Sequence, residues 1–303
     1  MAPTERWVER CLRWAAVSVC LATGAKALLH DLPLRAILWD AGWWTWFANA
    51  AGYSWTAWVT DPAVDRAING LNLGLGLSFL VTAAVLAFGR SRAGGLAVAV
   101  ATVLLLLQHF LLAKEAFWQI GQVLELGLQT GAPLIWYAYR RGPGGEVYWR
   151  WVRWVVAATF VGHGLYAVGF HPVPANFVLM TQAGLGVGEA LARQLLFGVG
   201  ILDFLAALFL VLPFRRAHWL ALCWLLPWAL LTTAARLWSY GWLVGMGTLL
   251  RQWLPEVVLR LPHVLIPLAF ALARHSGQIW ARTQVLPPDP PKGGVRTKEQ
   301  GKT

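Results

Sequence analysis

The stretch 13–33, RWAAVSVCLATGAKALLHDLP, has a counterpart at 153–174, RWVVAATFVGHGLYAVGFHPVP. Arg13, Trp14, Gly24, His30 and Pro33 recur as Arg153, Trp154, Gly164, His171 and Pro174. The two copies stand about 140 residues apart, with one residue of slippage after Gly24. Both lie in strongly apolar surroundings. An internal repeat in an apolar chain is the signature of a duplicated membrane bundle.

Composition supports that reading. Of 303 residues, 58% are apolar and only 13% charged, against about 25% charged in a soluble domain. A chain this apolar cannot cover a water-facing surface, and its 20 tryptophans suit the lipid headgroup layer. The net charge of +11 sits mainly in short loops between apolar runs. Basic residues so placed set topology, and no basic stripe offers nucleic acid a surface. Cys11, Cys20 and Cys223 form no C-x-x-C of the kind a thiol-redox membrane enzyme carries. The mixed-charge start, Glu5-Arg6 and Glu9-Arg10, reads as the flank of a retained span rather than a cleaved leader.

A membrane span needs about 20 apolar residues. Eight stretches qualify, at approximately 12–29, 68–89, 94–114, 118–139, 150–170, 194–214, 217–238 and 254–273. With eight spans, Arg6, Arg10, Arg13, Arg90, Arg92, Arg140, Arg141, Arg150, Arg215, Arg216 and the C-terminal cations share one side. Asp31, Asp40, Asp61 and Asp65 take the other. The positive-inside rule then puts both termini in the cytoplasm of an inner-membrane, multi-pass protein. An even number of spans per half makes the repeats parallel.

The expected architecture is all-α, with eight transmembrane helices in two four-helix repeats. Residues 1–139 form the first repeat, 140–148 a Gly/Pro linker, 149–273 the second repeat and 274–303 a basic, disordered cytoplasmic tail. Further matches are Gly74 and Gly76 with Gly198 and Gly200, Arg92 with Arg216, Lys114 with Arg236, and Pro133 with Pro267. The offset falls from 141 at His30/His171 to 124 at Gly74/Gly198, so the first half carries about 17 extra residues. They fall within 39–59, a segment holding Trp43, Trp44, Trp46, Trp55 and Trp58. This segment reads as an interfacial helix, and as the place where a membrane-protein partner would dock.

Ionisable residues inside spans are costly and are functional candidates by default. His163, Asp203, Arg236, Glu256, Arg260 and His263 fall in the outer half of the second repeat. Glu256, Arg260 and His263 have the spacing of one helix face, which allows a Glu256–Arg260 ion pair. Lys26, Lys114, Glu125 and Gln129 form a thinner counterpart in the first repeat. By the repeat, Glu125 falls beside the position of Arg260, and Gln129 matches His263. The competing reading is a set of contacts that only stabilise the fold. His163 and His263, with His109 third, are the candidates for axial haem ligands, but no C-x-x-C-H supports haem. No Cys/His cluster or H-E-x-x-H points to a metal.

The segment Thr159-Phe160-Val161-Gly162-His163-Gly164-Leu165 resembles the first helix of DoxX-like membrane proteins. Arg153 before it, Pro172 and Pro174 in the outer loop, Gly198, Gly200 and the mid-span Asp203, and Arg216 opening the next helix also agree. The resemblance covers roughly 149–273, and the first half looks like a diverged copy. It departs from the family in its doubling, its Trp-rich insertion and Asp203 in place of a Glu. The resemblance implies a four-helix membrane unit, and some members are similar to subunits of thiosulfate:quinone oxidoreductase or quinol oxidase systems. The expectation is an accessory or quinone-linked membrane subunit without a strong catalytic motif of its own. The alternatives are a small-solute or ion transporter with a crevice open to the outside, and an intramembrane enzyme using His163, Asp203 and Arg260 around a quinone.

Overall fold

The computed structural model describes residues 3–89, 92–142 and 144–276. Arg90, the side chain of Arg92, Pro143 of the linker and the tail from Thr283 lie outside the described residues. Every regular element among the described residues is helical. The first half contains α1 (Pro3–Leu29), α2 (Arg35–Leu38), α3 (Ala41–Ala50), α4 (Trp55–Thr60), α5 (Pro62–Phe88), α6 (Arg92–Glu115), α7 (Ile120–Glu125) and α8 (Gly127–Arg141). The second contains α9 (Glu146–Ala167), α10 (Ala175–Leu185), α11 (Glu189–Val211), α12 (Arg215–Gly241), α13 (Met246–Thr248), a π-helical turn (Leu249–Trp253), α14 (Leu254–Leu259) and α15 (Leu261–His275).

Among the described residues, six helical segments are long and apolar enough to cross a membrane. They are α1, α5, α6 from Gly94, α11, α12 and the run Met246–His275. The fourth and fifth expected stretches do not join them, for physical reasons. The fourth is interrupted at Leu126, between α7 and α8. The fifth is the unbroken α9, but Arg150, Arg153 and His163 dilute its hydropathy. It is an interior helix, packed by α7, α8, α11 and α15.

The helix order in space is reciprocal. α1 packs on α5 and on α15, the last helix of the other half. α9 packs on α11 and on α7 and α8, the broken last helix of the first half. Glycines let the primary pairs approach closely. A Cβ on Gly24 would lie 2.9 Å from the Gly76 carbonyl, and one on Gly76 would lie 2.8 Å from Ala27 Cβ. In the second half, a Cβ on Gly164 would meet Phe204 at 2.6 Å and one on Gly200 would meet Val168 at 2.7 Å.

Both last helices break at matching places. Leu126 (φ −79°, ψ −5°) separates α7 from α8, and Arg260 (φ −90°, ψ −3°) separates α14 from α15. A proline follows each break seven residues on, Pro133 and Pro267. A break frees N–H groups that need acceptors. At the first break, Leu128 N–H donates to Thr159 Oγ1 of α9 (3.1 Å). The corresponding residue at the second break is Pro262, which has no N–H to satisfy. At the opposite end of the bundle, Arg13 and Arg140 lie over the Trp136 ring at 5.9 and 5.2 Å. Arg153 and Arg274 each lie over Phe270 at 5.8 Å.

The 39–59 insertion forms α3 and α4 rather than one helix. Asp40 caps α3 by accepting from Trp43 N–H (3.2 Å), and Ser54 caps α4 by accepting from Ala57 N–H (3.2 Å). Trp58 Nε1 donates to the Leu38 carbonyl (2.8 Å) and ties the segment back.

The tightest crossing predicts a stability contrast. A Cβ on Gly162 would stand 2.5 Å from Glu125 N and 2.7 Å from the Gly121 carbonyl, both backbone atoms of α7. Gly162→Ala should therefore destabilise the protein by about 1–3 kcal/mol. Nothing lies within 4 Å of a Cβ on Gly198. Gly198→Ala should be neutral or stabilising by up to about 1 kcal/mol through helix propensity. Equilibrium unfolding of both variants in mixed micelles checks the contrast.

Candidate functional site

The structure joins the polar residues of the two halves into one network. Lys26 Nζ of α1 donates to Glu256 Oε1 of α14 at 2.5 Å. Arg260 Nη2, at the second break, donates to Glu125 Oε1 at 2.9 Å. Glu125 closes α7 directly before the first break. The same carboxylate oxygen stands 3.3 Å from His163 Nδ1 of α9. The His163 ring then meets His263 of α15, with ring centroids 5.3 Å apart.

This arrangement corrects the expected Glu256–Arg260 pair. Glu256 belongs to α14, while Arg260 sits where the helix stops. The break spoils the regular i, i+4 geometry, and each residue instead reaches across to the first half. The side chains of Arg260 and Glu125 are 13% and 11% exposed, so each offsets the desolvation of the other. Two first-half candidates, Lys26 and Glu125, thus belong to the same site as the second-half group. Lys114 does not: it pairs with Asp40 in the inserted segment and lies over the Trp43 ring. That hydrogen bond and charge hold the Asp40 carboxyl below its ordinary range. Gln129 is buried within α8. His109 bonds Thr130 Oγ1 (3.0 Å) between α6 and α8.

Beside the network lies a cavity of about 280 Å³, bounded by α9, α10, α11, α12 and α15. Its size is near the lower end for a small-molecule site. Five candidates line it: His163, Asp203, Arg236, Arg260 and His263. Glu256 stays outside, paired with Lys26. Most of the wall is apolar, with Phe160, Val199 and Trp228 among its residues. Asp203 Oδ1 accepts from Trp224 Nε1 (2.9 Å), and Trp224 stacks on Trp228 at 5.4 Å. Asp203 is therefore held by indoles, and among the described residues it forms no ion pair.

Arg236, Thr233 and His263 are further polar residues of the wall. Arg236 Nη1 donates to the Thr232 carbonyl (2.9 Å). His263 uses Nδ1 at the Arg260 carbonyl (3.2 Å), while its Nε2 is buried with no hydrogen-bond partner. Thr233 Oγ1 is likewise buried and unpartnered. Thr233 and His263 are only 4% and 3% exposed. Both residues belong to the cavity lining, and each keeps one polar atom that no neighbouring group satisfies, where most buried polar atoms are hydrogen-bonded. Thr233 escaped the sequence reading because a threonine in an apolar run commonly bonds its own helix.

The contact between His163 and His263 bears on haem. Their rings pack against each other, tilted by 50° with centroids 5.3 Å apart, which leaves no space for a macrocycle between them. Among the described residues, no three His, Cys, Asp or Glu side chains gather to hold a metal ion.

Neutralising the central carboxylate should cost more than the local hydrogen bonds. Glu125→Gln leaves Arg260 buried without a counter-charge and should destabilise the protein by about 3–5 kcal/mol. Adding Arg260→Met should recover part of that loss, because it removes the stranded charge. A double-mutant cycle read by equilibrium unfolding checks both statements. No protein-family model, curated protein or solved structure matches the chain, so the site rests on its own geometry.

Proposed function

We propose that this is a multi-pass inner-membrane protein of DoxX-like type that binds a quinone-like headgroup in its second half and serves as an accessory, quinone-linked membrane subunit. In this reading eight helices cross the membrane: the six apolar segments, α9, and α7–α8 taken together. Several features support two parallel four-helix repeats. α1/α5 and α9/α11 cross at glycines. Leu126, Pro133, Trp136 and Arg140 each have a structural counterpart 134 residues on, at Arg260, Pro267, Phe270 and Arg274. The Lys/Arg distribution supports both termini in the cytoplasm, which puts the cavity in the outer half of the bilayer.

One observation carries the ligand class. The cavity is apolar over most of its wall, yet Arg236, Thr233 and His263 line it too, and Thr233 Oγ1 and His263 Nε2 have no hydrogen-bond partner. A quinone ring offers an apolar body with carbonyl acceptors. Arg236 and the Thr233 hydroxyl supply matching donors, while His263 Nδ1–H donates to the Arg260 carbonyl and so leaves Nε2 as an acceptor suited to the hydroxyl of the reduced, quinol form. The charges of Glu125, Arg260, Lys26 and Glu256 are already paired with one another. A transporter is the second reading, favoured by the partly exposed Lys26–Glu256 pair between the halves.

Titration with a benzoquinone bearing a ten-carbon alkyl chain, followed by tryptophan quenching, tests this. Saturable binding is expected, with Trp228 in the cavity wall as reporter. Arg236→Gln should weaken it about 10- to 100-fold, the worth of a charge-assisted hydrogen bond. Thr233→Val, which preserves shape, should weaken it several-fold. Absence of saturable binding, or unchanged affinity in both variants, would contradict the proposal.

A further inference from the structure

The route into the cavity is written in which of its walls reach the surface. Leu185, Leu195, Leu231 and Trp238 all line it, and they are 63%, 41%, 52% and 59% exposed. The polar residues are closed off: Arg236 is only 3% exposed, like His263. The mouth is therefore apolar, and it lies where α10 bridges α11 and α12.

Both flanking helices are candidate membrane spans. Leu195 follows the start of α11 by six residues, about 9 Å along the helix. Leu231 precedes the end of α12 by ten residues, about 15 Å. An opening at that depth faces hydrocarbon rather than water.

α10 covers this opening and is lightly held. It is 11 residues long, and Val178 is its one buried residue. Its cavity side carries Phe177, Met180, Thr181 and Gly184. Ser239 Oγ of α12 donates to the Met180 carbonyl at 2.9 Å. Left-handed glycines flank it, Gly169 (φ 82°) before and Gly186 (φ 67°) at its C-terminal end. Glycine takes that backbone region without steric cost, so the chain can turn at both places.

We propose that the cavity is loaded sideways from the bilayer, through a portal between α11 and α12 that α10 closes as a hinged flap. The ligand is then a membrane-dissolved amphiphile, with its polar head at Arg236, Thr233 and His263 and its tail toward the portal. This rests on the same cavity as the quinone reading but does not require the head to be a quinone.

The geometry supplies its own clamp. A Cβ on Gly184 would stand 3.8 Å from Ser239 Cβ, about the mean separation in a disulfide. The test uses the full chain in lipid nanodiscs, with the exposed Cys223 replaced by Ala and Thr233→Cys as the reporter in the cavity. Labelling at residue 233 is read by peptide mass spectrometry with two reagents, pyrene maleimide dissolved in the bilayer and a sulfonated maleimide in water. The bilayer reagent should react about tenfold faster, and the oxidised Gly184→Cys/Ser239→Cys clamp should slow it by about tenfold, as expected if local opening of α10 gates access. Reducing the clamp before labelling should restore the rate. Equal or faster labelling by the sulfonated reagent would overturn the lipid route. A clamp without effect would overturn the flap, and no labelling by either reagent would overturn the portal. If the lipid route and clamp behave as expected while the alkyl benzoquinone fails to bind, the portal stands and the quinone headgroup falls.

Discussion

The Glu125–Arg260 pair organises this protein. Each residue stands at a helix break, one in each half, and each is largely shielded. Glu125 lies just before the N-terminus of α8, where freed N–H groups favour an anion. Arg260 follows the C-terminus of α14, where freed carbonyls favour a cation. Glu125 is also the last residue of α7 and Arg260 the N-cap of α15, so backbone polarity acts both ways at each break and the attraction across the interface decides. Lys26 and Glu256 add a second crossing tie.

The way the charges pair also defines what remains free. With Glu125 and Glu256 both engaged in ion pairs, the cavity wall keeps Arg236 and Thr233 as donors and His263 Nε2 as an acceptor. Asp203, on the cavity wall, is held by indole N–H instead. The second half alone builds this cavity, because α10 stands where the first half has α2, α3 and α4. The insertion supplies Asp40 to Lys114 of α6, and its Trp43 joins Phe110 and Trp118 in an aromatic cluster. In the second half, Arg236 stands at the matched position and lines the cavity.

Much of this was legible in the residues, for identifiable reasons. Gly24, Gly76, Gly164 and Gly200 were visible as repeats because close helix crossings tolerate no Cβ. Matching did not guarantee contact, however, since Gly74 and Gly198 face open space. The repeat aligns Glu125 with the residue beside Arg260, but alignment alone does not announce that the two side chains meet. The Glu256–Arg260 pair did not form, because it assumed an unbroken helix and the break at Arg260 carries no glycine to announce it. Pro262 was the one local signal. In the sequence α10 is visible only as part of a Pro-containing outer loop, since an 11-residue helix is too short to register as a span. Thr233 was missed because its role depends on a missing partner, which no sequence displays.

The central claim is that Arg236, Thr233 and His263 are built to hold the head of an amphiphile. An experimental density map of the full chain extracted with its native lipid tests this most directly. The account predicts elongated density with its head within hydrogen-bond distance of Thr233 Oγ1 and His263 Nε2, running between α11 and α12 beneath α10. Density showing those two atoms satisfied by water or by neighbouring side chains, with the cavity filled by repacked residues, would contradict it.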